Sequence, residues 1–328
     1  MRTITYVQAI NEALCQLMEK DSRVFLIGQG VTSPWYVGTS TVGLIDRFGP
    51  ERVIDTPVSE NSTTGTGVGA ALAGMRPIVV HPRMDFMYYA MDQIANHAAN
   101  WHYMFGGQLS VPLTIWGIIN RGGEQAAQHS QAIQAMFAHI PGLKVVMPGT
   151  PYDAKGLLVA SIEDENPVLF IDDRWLYNNR GNVPEELYSV PIGQGVIRKE
   201  GRDVTLAATS FMATQALKAA RQMAKEGISV EVIDLRSIKP LDETLLLASV
   251  SKTGRLAIAD GGWKTYGIGA EISALVAEKG FGYLKAPITR IALPDAPAPA
   301  SRTLEKAYYP NADRIEAEVK KLLEAKVP

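Results

Sequence analysis

"DTPVSENSTTGTGVGAALAG" (residues 55–74) places an acidic residue in a polar turn, follows it with a ladder of glycines, and ends in an alanine-rich run. Just upstream, "RVID" (52–55) has the character of a short strand. The stretch therefore reads as strand, long turn and helix. Gly65 to Ala70 formally fits the G-x-G-x-x-A dinucleotide pattern, but that fingerprint belongs in the tight turn directly after a strand. Here "TPVSENSTT" intervenes, and the geometry that cradles a phosphate is not supplied. The small residues predict instead a helix packed closely on a neighbour. Glu60 falls in the strand-to-helix connection, at the carboxyl edge of a parallel sheet, where α/β proteins place their ligands.

Outward from this unit the same alternation continues. Short apolar runs, "RVFLIG", "RPIVV", "VPLTIWG", "LKVVMP" and "PVLFID", are separated by helical stretches. These are "TYVQAINEALCQLME", the run after Gly69, "DFMYYAMDQIANHAANWHYM", "QHSQAIQAMFAH" and "PYDAKGLLVASIED". Strands that are apolar throughout, alternating with helices, predict a parallel sheet covered on both faces. "RWLYNNRGNVPEELYSVPIGQGV" breaks the rhythm and reads as an interdomain connection. The alternation then restarts with "DVTLAATS", "ISVEVIDL", "RLAIAD" and "ITRIAL", and closes in the helix "NADRIEAEVKKLLEAK", for which Asn311 is the expected cap. The expected organisation is two doubly wound α/β domains, residues 1–180 and 201–328, joined by a linker over 181–200.

Composition narrows the function. With 46% hydrophobic and 20% charged residues the chain has the make-up of a compact soluble protein. A formal net charge of -2 carries no basic footprint for nucleic acid or an anionic membrane. A single cysteine, Cys15, excludes an internal disulfide and a cysteine-based zinc site. "MRTITYVQAINEAL" has no apolar core of signal-peptide length, so the expected location is the cytoplasm. His97 and His102 lack the spacing of two metal ligands on one helical face, and His139 sits where a helix end calls for a cation.

Several motifs in one order carry a stronger signal than any glycine pattern. "TPVSEN", "RMDFMYYAMDQIANHAANWHYMFGGQ" (83–108) and "AAQHSQAIQAMFAHIPGLKVVMPGTPYDAKGLL" (126–158) are joined by "NPVLFIDDRWLY", "VIDLRSIKPLD", "DGGWKTYGIGAEI" and "LEKAYYPNADRI". Together they resemble the β subunit of the thiamine-diphosphate-dependent decarboxylase component of 2-oxoacid dehydrogenases, of the pyruvate, branched-chain and acetoin type. The resemblance runs nearly end to end. It implies a transketolase-like pair of domains, one binding the pyrimidine and one C-terminal. It also implies that Glu60 shares a proton with the aminopyrimidine, that Phe86 packs on that ring, and that His129 manages protons at the mouth of the site. Tyr89, one helical turn beyond Phe86, is expected along the same cleft. "SIEDENP" (161–167) resembles a loop that binds a monovalent cation, such as K+, in some relatives, which would involve Ile162, Asp164 and Asn166.

The resemblance also exposes a missing half. No Gly-Asp-Gly, the turn that holds the diphosphate and Mg2+ in thiamine enzymes, occurs in the chain. In the family that half lies on a separate α subunit, which implies an α2β2 heterotetramer with a shared cofactor and a lipoyl-domain acyltransferase as further partner. Where relatives often carry an arginine this chain has Trp116, with Arg121 further on, and His81 and Arg83 replace a commonly acidic or neutral pair. These four residues are the expected determinants of substrate. The principal expectation is decarboxylation of a 2-oxo acid with acyl transfer to a lipoyl group. A split transketolase-like enzyme moving a ketol or acyl unit to an aldehyde or carrier is the alternative, and Glu60 argues against a non-catalytic scaffold.

Overall fold

The structure, a computed structural model, describes residues 2–325. The first domain runs through β1 (Arg2–Thr5), α1 (Tyr6–Lys20), β2 (Val24–Gly28), α2 (Leu44–Phe48), β3 (Val53–Asp55), α3 (Glu60–Leu72) and β4 (Arg76–His81). It continues with α4 (Trp101–Met104), β5 (Thr114–Ile119), α5 (Gln134–Ala138), β6 (Lys144–Val146), α6 (Pro151–Glu163), β7 (Val168–Asp173) and β8 (Arg180–Val183). Six of its strands pair in parallel in the order β6-β7-β5-β4-β2-β3. Every residue of β2, β5 and β7 is buried, which is why these strands are apolar throughout rather than alternating.

Local signals set the helices as the sequence suggests. Thr5 and Gln8 form a reciprocal capping box at the start of α1, with Thr5 N donating to Gln8 Oε1 at 2.9 Å and Gln8 N to Thr5 Oγ1 at 3.3 Å. The glycines of the opening stretch divide by purpose. A Cβ on Gly67 would stand 2.4 Å from Val79 Cγ2, so this glycine is what lets α3 lie on β4; Gly69 faces open space.

Two expected helices take other forms. Residues 85–104 are a 3-10 turn over Met84–Ala90, a wider π turn over Asp92–Ala98, and the short α4. The buried residues explain the change: Met84, Met87 and Ala90 recur every three positions, and Ile94 and Ala98 every four. In 128–139 only α5 is helical. The preceding residues form an irregular loop, in which Gln131 N donates to a side chain, Asp85, instead of continuing a helical ladder.

The chain divides into two compact units between Ile192 and Gly193, with residues 122–127 belonging to the second. The expected linker is partly structured: β8 pairs antiparallel with β1, Arg2 opposite Val183, and so completes the first domain. The second domain comprises β9 (Val196–Lys199), β10 (Val204–Ala208), α7 (Ser210–Ala224), β11 (Val230–Asp234), β12 (Ser237–Lys239) and α8 (Glu243–Thr253). After these come β13 (Leu256–Trp263), α9 (Ile268–Gly280), β14 (Thr289–Leu293), α10 (Arg302–Tyr308) and α11 (Ala312–Glu324). Its five-stranded sheet has the order β14-β13-β10-β11-β9, parallel except for β9 at the edge. One core joins the sheet to α7 and α11, and another joins it to α8 and α9, so both faces are covered. Asn311 caps α11 as expected, accepting Arg314 N at 3.0 Å.

Candidate active site

Parallel strands deliver their carboxyl ends, and the side chains just beyond them, to one edge of the first domain's sheet. At the ends of β2, β3 and β4 that edge forms a small cleft lined by Gln29, Thr56, Ser59, Glu60, His81 and Pro82 among others. Asp55, the last residue of β3, pins the loop that brings Gln29 there: it accepts Gly30 N at 2.7 Å and the Thr32 hydroxyl at 2.5 Å.

Glu60 is the first residue of α3 and is half-buried. It makes no hydrogen bond or ion pair among the described residues, so its carboxylate is available to a ligand. The positive end of α3 complements its charge. One turn further along the helix, Thr64 Oγ1 lies 3.1 Å from His81 Nε2. His81 is buried, and that burial lowers its pKa to about 4, leaving the imidazole neutral near pH 7. It enters the cleft as a hydrogen-bonding group and not as a cation.

Beyond β4 the chain presents Phe86, which meets His129 edge to face with ring centroids 5.4 Å apart and planes at 86°. These two residues are 43 positions apart in the sequence and were assigned separately to one cofactor site; the fold makes them neighbours. Tyr89, by contrast, is 71% exposed. The tyrosine that reaches the histidine loop is Tyr88, whose hydroxyl donates to Gln131 Oε1 at 3.1 Å.

The residues expected to read the substrate are not gathered together. Trp116 is fully buried on β5 with its indole near the Asp172 carboxyl. Arg121 is buried in an ion pair with Asp173 and lies 5.3 Å from the centroid of the Trp175 ring. Arg83 alone keeps an unneutralised guanidinium: it donates to Pro82 O at 2.8 Å, lies over Tyr36, and forms no ion pair among the described residues. Burial first, and then the neighbouring Arg174, lower its pKa.

In the loop 161–167 the carbonyl oxygens of Ile162 and Asp164 already accept from Arg76 Nη1, at 2.9 and 3.2 Å. The Asp164 carboxylate pairs with Lys144 and accepts Asn166 N. The carbonyls do converge on positive charge, but that charge is a guanidinium. Among the described residues no cluster of three or more His, Cys, Asp or Glu side chains is placed to hold a metal ion, and no helix is long and apolar enough to cross a membrane.

This arrangement, a carboxylate at the head of a glycine-rich helix on the first of two doubly wound domains, defines a transketolase-like protein. Residues 2–179 match the transketolase pyrimidine binding domain family and residues 193–315 match the transketolase C-terminal domain family. The chain belongs to the transketolase-like family of 2-oxoacid dehydrogenase β subunits. It is 45% identical to the β subunit of acetoin:2,6-dichlorophenolindophenol oxidoreductase from Bacillus subtilis, over 96% of this chain and 95% of that one. It is 41% identical to the 2-oxoisovalerate dehydrogenase β subunit of the same organism, over 99% and 100%. It is also 42% identical to the pyruvate dehydrogenase E1 component β subunit of Rickettsia felis, over 97% and 98%. Among solved structures, a split-gene transketolase described as an inactive β4 tetramer superposes with a TM-score of 0.80 at 24% identity, covering 99% of each chain, which shows the shared fold.

Proposed function

We propose that this chain is the pyrimidine-binding half of a cytoplasmic thiamine-diphosphate-dependent 2-oxoacid dehydrogenase, working with an α subunit in an α2β2 assembly and passing the acyl unit to a lipoyl-domain acyltransferase. The observation that carries the reading is Glu60: an unpartnered carboxylate in a cleft at the carboxyl edge of a parallel sheet. When bound, thiamine diphosphate supplies a nucleophilic thiazolium carbon and an aminopyrimidine able to exchange protons. Glu60 holds and returns a proton at the pyrimidine ring nitrogen, its charge supported by the end of α3. Phe86 offers an apolar ring to the heterocycle. His129, held at its edge, moves a proton at the site's mouth, a task suited to an imidazole.

The diphosphate and Mg2+ fall to the α subunit, because the described residues contain neither a Gly-Asp-Gly turn nor a metal cluster. A potassium ion at this loop would have to displace the Arg76 guanidinium from the Ile162 and Asp164 carbonyls. The ketol-transfer alternative has only the common fold behind it.

Isothermal titration of thiamine diphosphate and Mg2+ into the chain alone, and into the chain co-purified with its α subunit, tests the shared site. Tight binding is expected only in the second case. Tight Mg2+-dependent binding by the chain alone overturns the proposal.

A further inference from the structure

The geometry points to Asp85 as a positioning residue for His129, acting through the loop that carries the histidine; this rests on the role proposed above for His129. Asp85 is 4% exposed, between Met84 and Phe86 on the 3-10 turn that follows β4. Its Oδ1 accepts the backbone N–H of Gln131, 46 residues away, at 3.0 Å. The hydroxyl of Tyr88, on the same turn, donates to the Gln131 side chain. Between these two anchors, Phe86 and His129 meet edge to face. One turn therefore supplies three contacts to a loop of irregular backbone: a carboxylate on its amide, a phenol on its side chain, and a ring against the imidazole.

The loop needs such an anchor. Residues 128–133 carry neither helix nor strand, so no helical or sheet ladder fixes where His129 points. A carboxylate accepting a backbone amide away from water is a strong, directional tie, because the charged acceptor strengthens the hydrogen bond. Arg83, the nearest cation in sequence, forms no ion pair with Asp85 among the described residues; Oδ1 accepts from the loop, and Oδ2 is buried without a hydrogen-bond partner. Burial raises the Asp85 carboxyl to about 6, and the hydrogen bond from the Gln131 amide opposes that rise without cancelling it.

The test uses the assembled α and β subunits with Asp85→Ala, Asp85→Asn, His129→Ala and the double variant Asp85→Ala/His129→Ala. Amide hydrogen exchange of the segment around residues 128–131 reads the anchor without reference to activity. Asp85→Ala should speed it at least tenfold. Asp85→Asn, whose amide oxygen accepts the same N–H, should stay within about threefold of wild type. On turnover, Asp85→Ala should lower kcat about tenfold or more, with little change in KM. The double variant should be no slower than His129→Ala, since removing the histidine leaves nothing for Asp85 to position. Unchanged exchange in Asp85→Ala, or additive losses in the double variant, overturns the proposal. A fully active His129→Ala enzyme would sink the role of His129 itself, and the exchange measurement would still decide whether Asp85 anchors the loop.

Discussion

Two stretches of the same sheet edge are built to opposite specifications. At the ends of β5 and β7, Arg121 is buried against Asp173, and Asp172 accepts the Tyr177 hydroxyl at 2.9 Å. At the ends of β3 and β4, Glu60 has no hydrogen bond or ion pair among the described residues, and His81 meets the Thr64 hydroxyl. Both stretches are polar and both lie where α/β proteins place ligands. The first has spent its charges on itself, whereas the second leaves a carboxylate and a cleft for something else. The pairing of charges, more than polarity or position, distinguishes the two stretches.

Glu60→Gln should break this contrast most strongly. In the assembled enzyme it should slow hydrogen-deuterium exchange at the thiazolium carbon by about 10² to 10⁴, the range for lost general acid-base catalysis, with no change in melting temperature. Exchange at the wild-type rate would return Glu60 to the status of a surface carboxylate. The converse belongs to the other stretch. Arg121→Met strands the Asp173 carboxylate, whose pKa burial already raises, and should cost about 3 to 5 kcal/mol of stability by urea unfolding. A variant of normal stability with selectively lost turnover would place Arg121 in the chemistry instead.

The two stretches also differ in how far the sequence revealed them. Glu60 was legible because a strand, a turn and a helix in succession fix which end of the sheet a residue occupies. The parallel sheet was legible because β2 and β7 are apolar at every position. Partners distant in the chain were not legible. Arg121 and Asp173 are 52 residues apart, and nothing local announces that they meet. Asp85 stands two residues from Arg83, yet its carboxylate accepts from Gln131, 46 residues away. Trp116 was expected to bear on the substrate because relatives often carry an arginine there, and an apolar strand does not disclose that its centre is fully buried. Tyr89 was expected one helical turn beyond Phe86; it stands exposed, and the tyrosine that bonds to the histidine loop is its neighbour Tyr88.

His81 gives a pH signature of the cleft. Its pKa is about 4 when folded and near 6.5 when unfolded, so between those values the unfolded chain binds the extra proton. Its contribution to stability is therefore complete above pH 6.5, is lost progressively as pH falls, and changes no further below 4. Burial raises Asp85 to about 6 and Asp172 to about 7; both act with the opposite sign, since the folded state takes up their protons first. Comparison with His81→Asn cancels them. The stability difference between wild type and variant should shift by about 3 kcal/mol in the variant's favour from pH 7 to pH 4. A difference independent of pH would mean that His81 is not held neutral.

The smallest effect concerns the substrate. With Trp116 in the core and Arg121 in an ion pair, Arg83 is what remains of the cationic set, and its guanidinium is free of carboxylates among the described residues. A guanidinium with no carboxylate partner among the described residues favours a donor carrying an anionic or hydroxylated group, and we propose that it biases the enzyme toward polar 2-oxo acids. Its partial exposure keeps the effect modest, about fivefold, the scale of a solvent-screened interaction. Measured as kcat/KM on 2-oxoisovalerate, pyruvate and hydroxypyruvate, Arg83→Ala should depress hydroxypyruvate most and 2-oxoisovalerate least. If 2-oxoisovalerate is the best donor of the wild-type enzyme, or if all three fall equally, Arg83 stabilises the turn after β4 and the selection of donor lies elsewhere in the assembly.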